Sequence, residues 1–340
     1  MNTKELAAKL EQFRGSIAGS TVLVTGGAGF LGSWFCDTLH LMGANIVCVD
    51  STISGDLSNI EHLIGKKGFT FVNENLLDWK PDRKFDYIVH MASIASPPLY
   101  MRHPIDTLDC NILGIRKLLE LAREQKIKGF LQMSTSEVYG DPPDSQVPTV
   151  ETYHGQVNSF GVRSMYDEGK RAAEAYCYSY FKEHKVPVRI ARTFNTYGPR
   201  LDAKETSQYG RALVKFIKQA LDGRPITVYG DGAQTRSFCY ISDQIEGLFR
   251  LLFTPGIDGE VINIGNQREH SILELANFVV KATGSKSAVQ KNANPNYDLK
   301  DDPRRRCPDI TKAKRLLQWE AKVPLETGLK LTVDWMRGKQ

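Results

Sequence analysis

Tyr166 and Lys170 stand four residues apart in Tyr-Asp-Glu-Gly-Lys, inside a stretch (162–184) with helical spacing of its apolar residues. At i and i+4 both side chains leave one face of a helix. A lysine ammonium close to a phenol favours the phenolate and draws its pKa down from about 10 toward working pH. The pair is then a general base able to take a proton from an alcohol as a hydride leaves the same carbon. Such pairs also occur on plain helix surfaces. What singles this one out is the segment Ser134-Thr135-Ser136-Glu137, which directly follows the apolar run 129–133. Thr135, at the end of a strand, can hydrogen-bond the same reacting oxygen.

A second group of residues has the spacing of a phosphate cradle. The run Val22-Leu23-Val24 reads as a buried parallel strand. Gly26, Gly29 and Gly32 follow it, and Phe30 and Leu31 open a helical run. Glycines let the backbone approach a pyrophosphate, and the unpaired N–H groups of a helix start favour the anion. The next strand, 45–49, ends in Asp50, where an acid can hold an adenosine ribose diol and disfavour a 2′-phosphate. A bare structural glycine turn does not explain Asp50. A dinucleotide is expected, NAD in preference to NADP.

These residues need a scaffold. From Thr21 the pattern alternates: strands at 22–25, 45–49, 69–72, 86–89, 129–133 and 187–191, with helices at 30–42, 105–124 and 162–184. Strands joined by helical crossovers imply an α/β fold, a doubly wound parallel sheet of Rossmann type with helices on both faces. Ligands in such sheets lie beyond the carboxyl ends of the strands. This places Ala92 and Ser93, the 134–137 segment and the Thr193-Phe194-Asn195 segment at the site. After about residue 195 turn signals alternate with shorter elements, which reads as a smaller α/β lobe closing over a second ligand. The expected division is a helical extension at 1–19, a dinucleotide-binding domain at 20–194 to which about 236–265 returns, and a substrate lobe over 195–340. Arg304, Arg305 and Arg306 lie in an irregular polar stretch, where solvated charge and ligand contact both stay open.

Of 340 residues, 41% are hydrophobic and 24% charged, ordinary for a globular protein. The net charge of +5 makes no case for nucleic acid. Cys36, Cys48, Cys110, Cys177, Cys239 and Cys307 have no metal spacing and mostly sit in apolar runs, so reduced buried thiols are expected rather than a disulfide framework or a metal site. No apolar run is long enough to span a bilayer and no signal-peptide core opens the chain, so a cytoplasmic protein without a membrane partner is expected.

The glycine motif, Ser-Thr-Ser-Glu-Val-Tyr-Gly-Asp-Pro (134–142) and the Tyr-Asp-Glu-Gly-Lys helix together resemble the extended short-chain dehydrogenase/reductase family acting on nucleotide sugars. The likeness continues through 96–101, 188–200, 227–238 and 301–314, nearly the whole chain from residue 20 onward. Within the family it is most similar to the decarboxylases of UDP-glucuronate. Related 4,6-dehydratases carry Thr-Asp-Glu where this chain has Thr135-Ser136-Glu137, and a serine hydroxyl cannot replace that acid at neutral pH. Epimerases usually lack the acid at Glu137.

The resemblance implies a reaction in which Tyr166, aided by Lys170 and Thr135, deprotonates the C4 hydroxyl of UDP-glucuronate while NAD takes the hydride. The C5 carboxylate of the 4-ketone is then lost as carbon dioxide, and UDP-xylose forms when the hydride returns. It assigns Glu137, Ser136 and Arg236 to the carboxylate and the C5 proton. Asn75 and Leu76 fall at the adenine, the asparagine in place of the family's usual aspartate. Asn195 and Arg306 fall at the UDP diphosphate or ribose, Arg211 and Tyr229 in the nucleotide pocket, and Tyr100 near the sugar. The segment 201–216 departs from the decarboxylase pattern, so a 4,6-dehydratase, a 4-epimerase and a non-catalytic NAD sensor remain as rivals. Relatives dimerise through two helices matching 105–124 and 162–184, which implies a homodimer. Ile112, Ile115, Leu119, Ala172, Tyr176 and Tyr180 could line that face or simply face the sheet.

Overall fold

The computed structural model describes residues 2–201, 212–293 and 303–338. Its centre is a parallel sheet built from β1 (Thr21–Thr25), β2 (Asn45–Val49), β3 (Phe69–Val72), β4 (Tyr87–His90), β5 (Gly129–Thr135), β6 (Val188–Thr193) and the later strand Val261–Ile264. The spatial order is Val261–Ile264, β6, β5, β4, β1, β2, β3. The order turns back at β1 and β4, and there the chain leaves a crevice beyond the strand ends. β5 is buried along its whole length, as its near-continuous apolar run requires. Val261–Ile264 returns to the far edge of the sheet, in parallel register with β6.

Helices cover both faces. Phe30–Leu41 and Ile241–Phe253 lie on one side, where Phe35 and Phe249 stack with centroids 4.2 Å apart. Ile115–Gln125 and Ser164–His184 cover the other, packing Ile115, Leu119 and Cys177 into a second core. Ile115 and Leu119 thus face the sheet, while Ala172 and Tyr176 are half-buried, Tyr176 packing partly against the same core. The expected single helix over 105–124 is interrupted: Pro104–Asp109 passes through a π-helical turn, Cys110–Gly114, before Ile115–Gln125 begins. That wide turn carries Asn111 to the strand ends.

The N-terminal residues are less separate than an appended helix. Thr3–Lys9 is closed by an Asn2/Glu5 capping box, and a short turn, Arg14–Ile17, follows. Leu6, Leu10 and Ile17 are fully buried in the main core, and Lys9 pairs with Glu246 of the Ile241–Phe253 helix. Burial of each such side chain is worth about 1.5–3 kcal/mol.

The smaller lobe holds the helices Ala212–Leu221, Ile272–Thr283 and Leu325–Arg337. A three-stranded sheet, Glu269–Ser271 beside Thr235–Ser237 beside Arg305–Arg306, lies at its border with the main sheet. A turn after β6 is tied back to the Phe30–Leu41 helix: Arg200 donates to Asp37 at 2.6 Å and Trp34 Nε1 to the Pro199 carbonyl at 3.1 Å.

Candidate active site

At the end of β1 the chain turns through Gly26 at φ +75°, a conformation L side chains rarely adopt. A Cβ there would sit 2.6 Å from the Ala92 nitrogen, and one on Gly32 would sit 2.2 Å from the Gly26 carbonyl oxygen. These positions bring the β1 turn, the strand end at Ala92 and the first turn of the helix into backbone contact. Gly29 caps the Phe30–Leu41 helix without any side-chain hydrogen bond, so the first-turn amides are left for an anion.

Asp50 closes the cradle from β2. Its carboxylate accepts the Ala28 N–H at 2.9 Å and the Thr52 N–H at 2.8 Å. Burial pushes its pKa up, against those two backbone donors. Gly55 lies so close that a Cβ would meet Asp50 Oδ1 at 2.9 Å. A glycine cradle with an acid at the end of the second strand fits NAD, a ribose diol lying where a 2′-phosphate would meet a buried carboxylate.

Other residues expected at the cofactor are placed variously. The Ala92 N–H donates to Thr25 Oγ1 at 3.4 Å, and Ser93 donates to Asn111 at 3.1 Å. Asn75 is exposed, its side-chain oxygen taking the Leu77 N–H at 3.0 Å, whereas Leu76 turns its side chain into the core against Gly114.

The Ser164–His184 helix presents Tyr166 and Lys170 together, as the i, i+4 spacing requires. The Lys170 ammonium lies 5.8 Å from the Tyr166 ring centroid and donates to the Met133 carbonyl at 2.9 Å. Burial lowers its pKa to about 8, so it is a charge held at some cost beside the phenol. Tyr100 stacks on Tyr166 with centroids 5.4 Å apart and planes 8° from parallel, which fixes the tilt of the Tyr166 ring. Thr135 ends β5, and its hydroxyl accepts the Glu137 N–H at 3.3 Å. A hydroxyl in that role keeps its own O–H to donate. Ser136 is buried beside it. His90, at the end of β4, pairs with Thr25 Oγ1 at 2.7 Å; burial and then the Lys170 charge hold its pKa near 3, so it is a neutral structural residue.

Glu137 is the most heavily paired group of the site. Arg306 reaches it with both Nη atoms, one bond at 2.8 Å, and Arg163 Nη2 reaches Oε2. Burial alone would raise its pKa; the charges of Arg306 and Arg163, joined by Arg236, outweigh that and hold it below its ordinary value. Arg236 is the register partner of Arg306 across two parallel strands, and its Nη1 donates to the carbonyls of Thr235 and Arg304 at 2.8 and 3.3 Å. Buried Arg306 Nε has no hydrogen-bond partner among the described residues, an open donor beside an excess of positive charge. Of the three consecutive arginines, Arg304 is exposed and Arg305 pairs with Glu269 and Asp144, so Arg306 is the one turned inward.

Asn195 is half-buried near Ser237, to whose carbonyl it donates at 3.4 Å. Tyr229 lies under Lys215, whose ammonium is 4.1 Å from its ring centroid. Arg211 lies outside the described residues. Two residues of the cluster were not anticipated, Arg163 and Asp167. Both belong to a charged helix start, where side chains ordinarily face water, yet both are buried or nearly so. All six cysteines are free, and among the described residues no cluster could hold a metal ion.

A parallel sheet with a glycine cradle at its switch point and a Tyr-x-x-x-Lys helix beside it defines a dinucleotide-dependent enzyme class. The chain belongs to the NAD dependent epimerase/dehydratase family, whose profile matches residues 22–265. It is 44% identical over 316 residues to UDP-glucuronic acid decarboxylase 1 of Xenopus tropicalis, covering 93% of this chain and 72% of that one. It is also 44% identical to UDP-glucuronic acid decarboxylase 2 of Arabidopsis thaliana, covering 94% of this chain and 68% of that one. Among solved structures it resembles the UDP-glucuronic acid 4-epimerase of Bacillus cereus with UDP-glucuronic acid and NAD. The TM-score there is 0.79 at 30% identity, over 94% of this chain and 100% of that one. The UDP-glucose 4-epimerase of Thermotoga maritima with UDP-glucose is similar at a TM-score of 0.82 and 30% identity, over 94% and 99%.

Proposed function

We propose that this chain decarboxylates UDP-glucuronate to UDP-xylose through a UDP-4-keto intermediate, with NAD recycled in the site. The observation that carries the reading is the group of three arginines around Glu137, next to Tyr166 and Thr135. A neutral hexose needs no such surplus of positive charge, whereas a sugar carboxylate entering a buried site does.

The glycine cradle, the Phe30–Leu41 helix start and Asp50 hold the NAD, which when bound takes the C4 hydride and gives it back. Tyr166 takes the C4 hydroxyl proton and later returns it to the same oxygen. Lys170 stabilises negative charge on the phenol oxygen by its own charge, and Tyr100 keeps the ring in place. Thr135 donates to the C4 oxygen, which carries the enolate charge once the bond from C5 to the carboxyl carbon breaks and its electron pair delocalises. Arg236 orients the leaving carboxylate together with Arg306, whose pairing with Glu137 favours this place over the expected one at the UDP diphosphate or ribose; Ser136 supports it, and Glu137 handles the proton that C5 must gain. Asn195 and Tyr229 are assigned to the nucleotide half of the substrate, together with Arg211. A homodimer formed through the outer faces of the Ile115–Gln125 and Ser164–His184 helices is part of the reading, with Ala172 and Tyr176 at the contact. A reducing compartment such as the cytoplasm suits six unpaired thiols, and among the described residues no helix is long and apolar enough to cross a membrane.

Purified chain supplied with NAD is offered UDP-glucuronate and, separately, UDP-glucose. Carbon dioxide and UDP-xylose are expected from the first and nothing from the second. UDP-galacturonate without carbon dioxide would replace the reading with 4-epimerisation, and a 4-keto-6-deoxy product from UDP-glucose would replace it with dehydration.

A further inference from the structure

Asp167 follows the catalytic tyrosine, is 7% exposed and has no task in the reaction just described. Its Oδ2 accepts Arg163 Nε at 3.4 Å, while its Oδ1 is buried with no hydrogen-bond partner among the described residues. Arg163 spends its other end on Glu137. One guanidinium therefore bridges two carboxyl groups, closely paired to Glu137 and loosely to Asp167. A carboxyl oxygen left open on the loose side is a place for the arginine to go.

We propose that Asp167 is a positioning residue that exchanges Arg163 with Glu137 during turnover, so that Glu137 becomes the acid that protonates C5. The proposal rests on the decarboxylase reading above. When the sugar carboxylate enters, it competes with Glu137 for Arg306. Arg163 then turns fully to Asp167, and one proton passes from Asp167 to Glu137, leaving the charge of the cluster unchanged. As the bond from C5 to the carboxyl carbon breaks and carbon dioxide leaves, Glu137 gives its proton to C5 and recovers its arginines. Asp167 is reprotonated from solvent. Replacing a carboxylate by a C–H bond consumes one proton, and the cycle supplies one.

For this exchange Asp167 must hold a proton in the resting site. The groups that face it are Glu137 from the turn after β5, Arg306 from the Arg305–Arg306 strand, and Arg163 at the start of its own helix. Burial first, and then the Glu137 charge, raise its pKa to about 7, against the two arginines. It is therefore a proton store at neutral pH, beside a carboxylate that the same arginines keep ionised.

The test compares the NAD-loaded chain with Asp167→Asn and Asp167→Glu, following carbon dioxide release from UDP-glucuronate against pH and deuterium at C5 of the product in D2O. Asp167→Asn is expected to slow carbon dioxide release about 10–100-fold, with KM changed far less. It should also remove the fall in rate expected of the unmodified chain as pH rises through about 7. Asp167→Glu should restore both the rate and the pH dependence. Unchanged turnover in Asp167→Asn, or a slower enzyme with an unchanged pH profile, overturns the proposal, as does a glutamate variant that behaves like the asparagine one. A readout on the unliganded chain covers a variant that does not fold: infrared difference spectra across neutral pH should contain a protonated carboxyl band that shifts on 13C-labelling of aspartate. Absence of that band also overturns the proposal. Absence of carbon dioxide from the unmodified chain instead removes the decarboxylase reading, and the infrared band still decides whether Asp167 holds the proton.

Discussion

Arg306 and Arg236 are register partners on adjacent parallel strands, and their two charges converge on the carboxylate of Glu137. Arg306 carries the direct bonds, so the pair Glu137–Arg306 should behave as one unit. Arg306→Ala leaves a buried carboxylate short of its main partner and is expected to cost about 3–5 kcal/mol of stability. Adding Glu137→Gln to it should return part of that loss. Denaturant unfolding of the two single variants and the double variant measures the coupling; additive losses would mean that the two side chains act independently.

Tyr166→Phe removes the proton acceptor but keeps the ring that stacks on Tyr100. The expected result is an intact fold and unchanged NAD affinity, with turnover reduced about 1,000-fold or more. Fluorescence titration with NAD and carbon dioxide release check the two halves of the statement.

Lys170 reports its environment through pH. Its folded pKa, about 8, lies below the unfolded value, so its buried charge disfavours the fold below pH 8 and that cost fades as pH rises from about 8 toward the unfolded value. Lys170→Met should therefore raise Tm at neutral pH, by an increment that shrinks at high pH, while abolishing turnover. A pH series of thermal melts tests the sign.

Asp167 works in the opposite direction. Its folded pKa, about 7, lies above the ordinary aspartate value of about 3.9, so stability falls as pH climbs from near 4 through about 7, where the unfolded chain is already ionised and the folded one is not. Asp167→Asn should stabilise the protein more at pH 8 than at pH 5, compared by denaturant midpoints at the two values. A functional group kept in an unfavourable state is a recognised source of such gains.

Gly26→Ala forces a Cβ to within 2.6 Å of the Ala92 nitrogen at a positive φ. NAD binding should be lost and stability should drop by about 1–3 kcal/mol. Asp50→Asn is the gentler change: NAD affinity should fall about tenfold and the preference over NADP should narrow, both read by the same titration.

Much of this arrangement was written in local pattern. The glycines, Asp50 and the alternation of strands and helices obey short-range periodicity, and helical spacing puts Tyr166 and Lys170 on one face, though only the Ser134–Glu137 segment singled that pair out. Arg163 and Asp167 were illegible because a charged helix start normally faces water; their burial comes from the turn after β5 and from the Arg305–Arg306 strand, both distant in sequence. The π-helical turn at Cys110–Gly114 likewise left no mark, since the close approach of its Asn111 to Gly169 joins two helices far apart in sequence. The role of the first residues was hidden for a similar reason: Leu6 and Leu10 meet partners from elsewhere in the chain.

The strand Arg305–Arg306 is only two residues long, and it faces Arg305 outward and Arg306 inward. Which guanidinium enters the site is consequently a question of parity. Adding one residue just before this strand would seat Arg305 in the inward post, whereas removing one would seat Cys307 there and leave the post without a charge. The charge that faces Glu137 is thus set by the length of the chain before the strand as much as by the residue types in it.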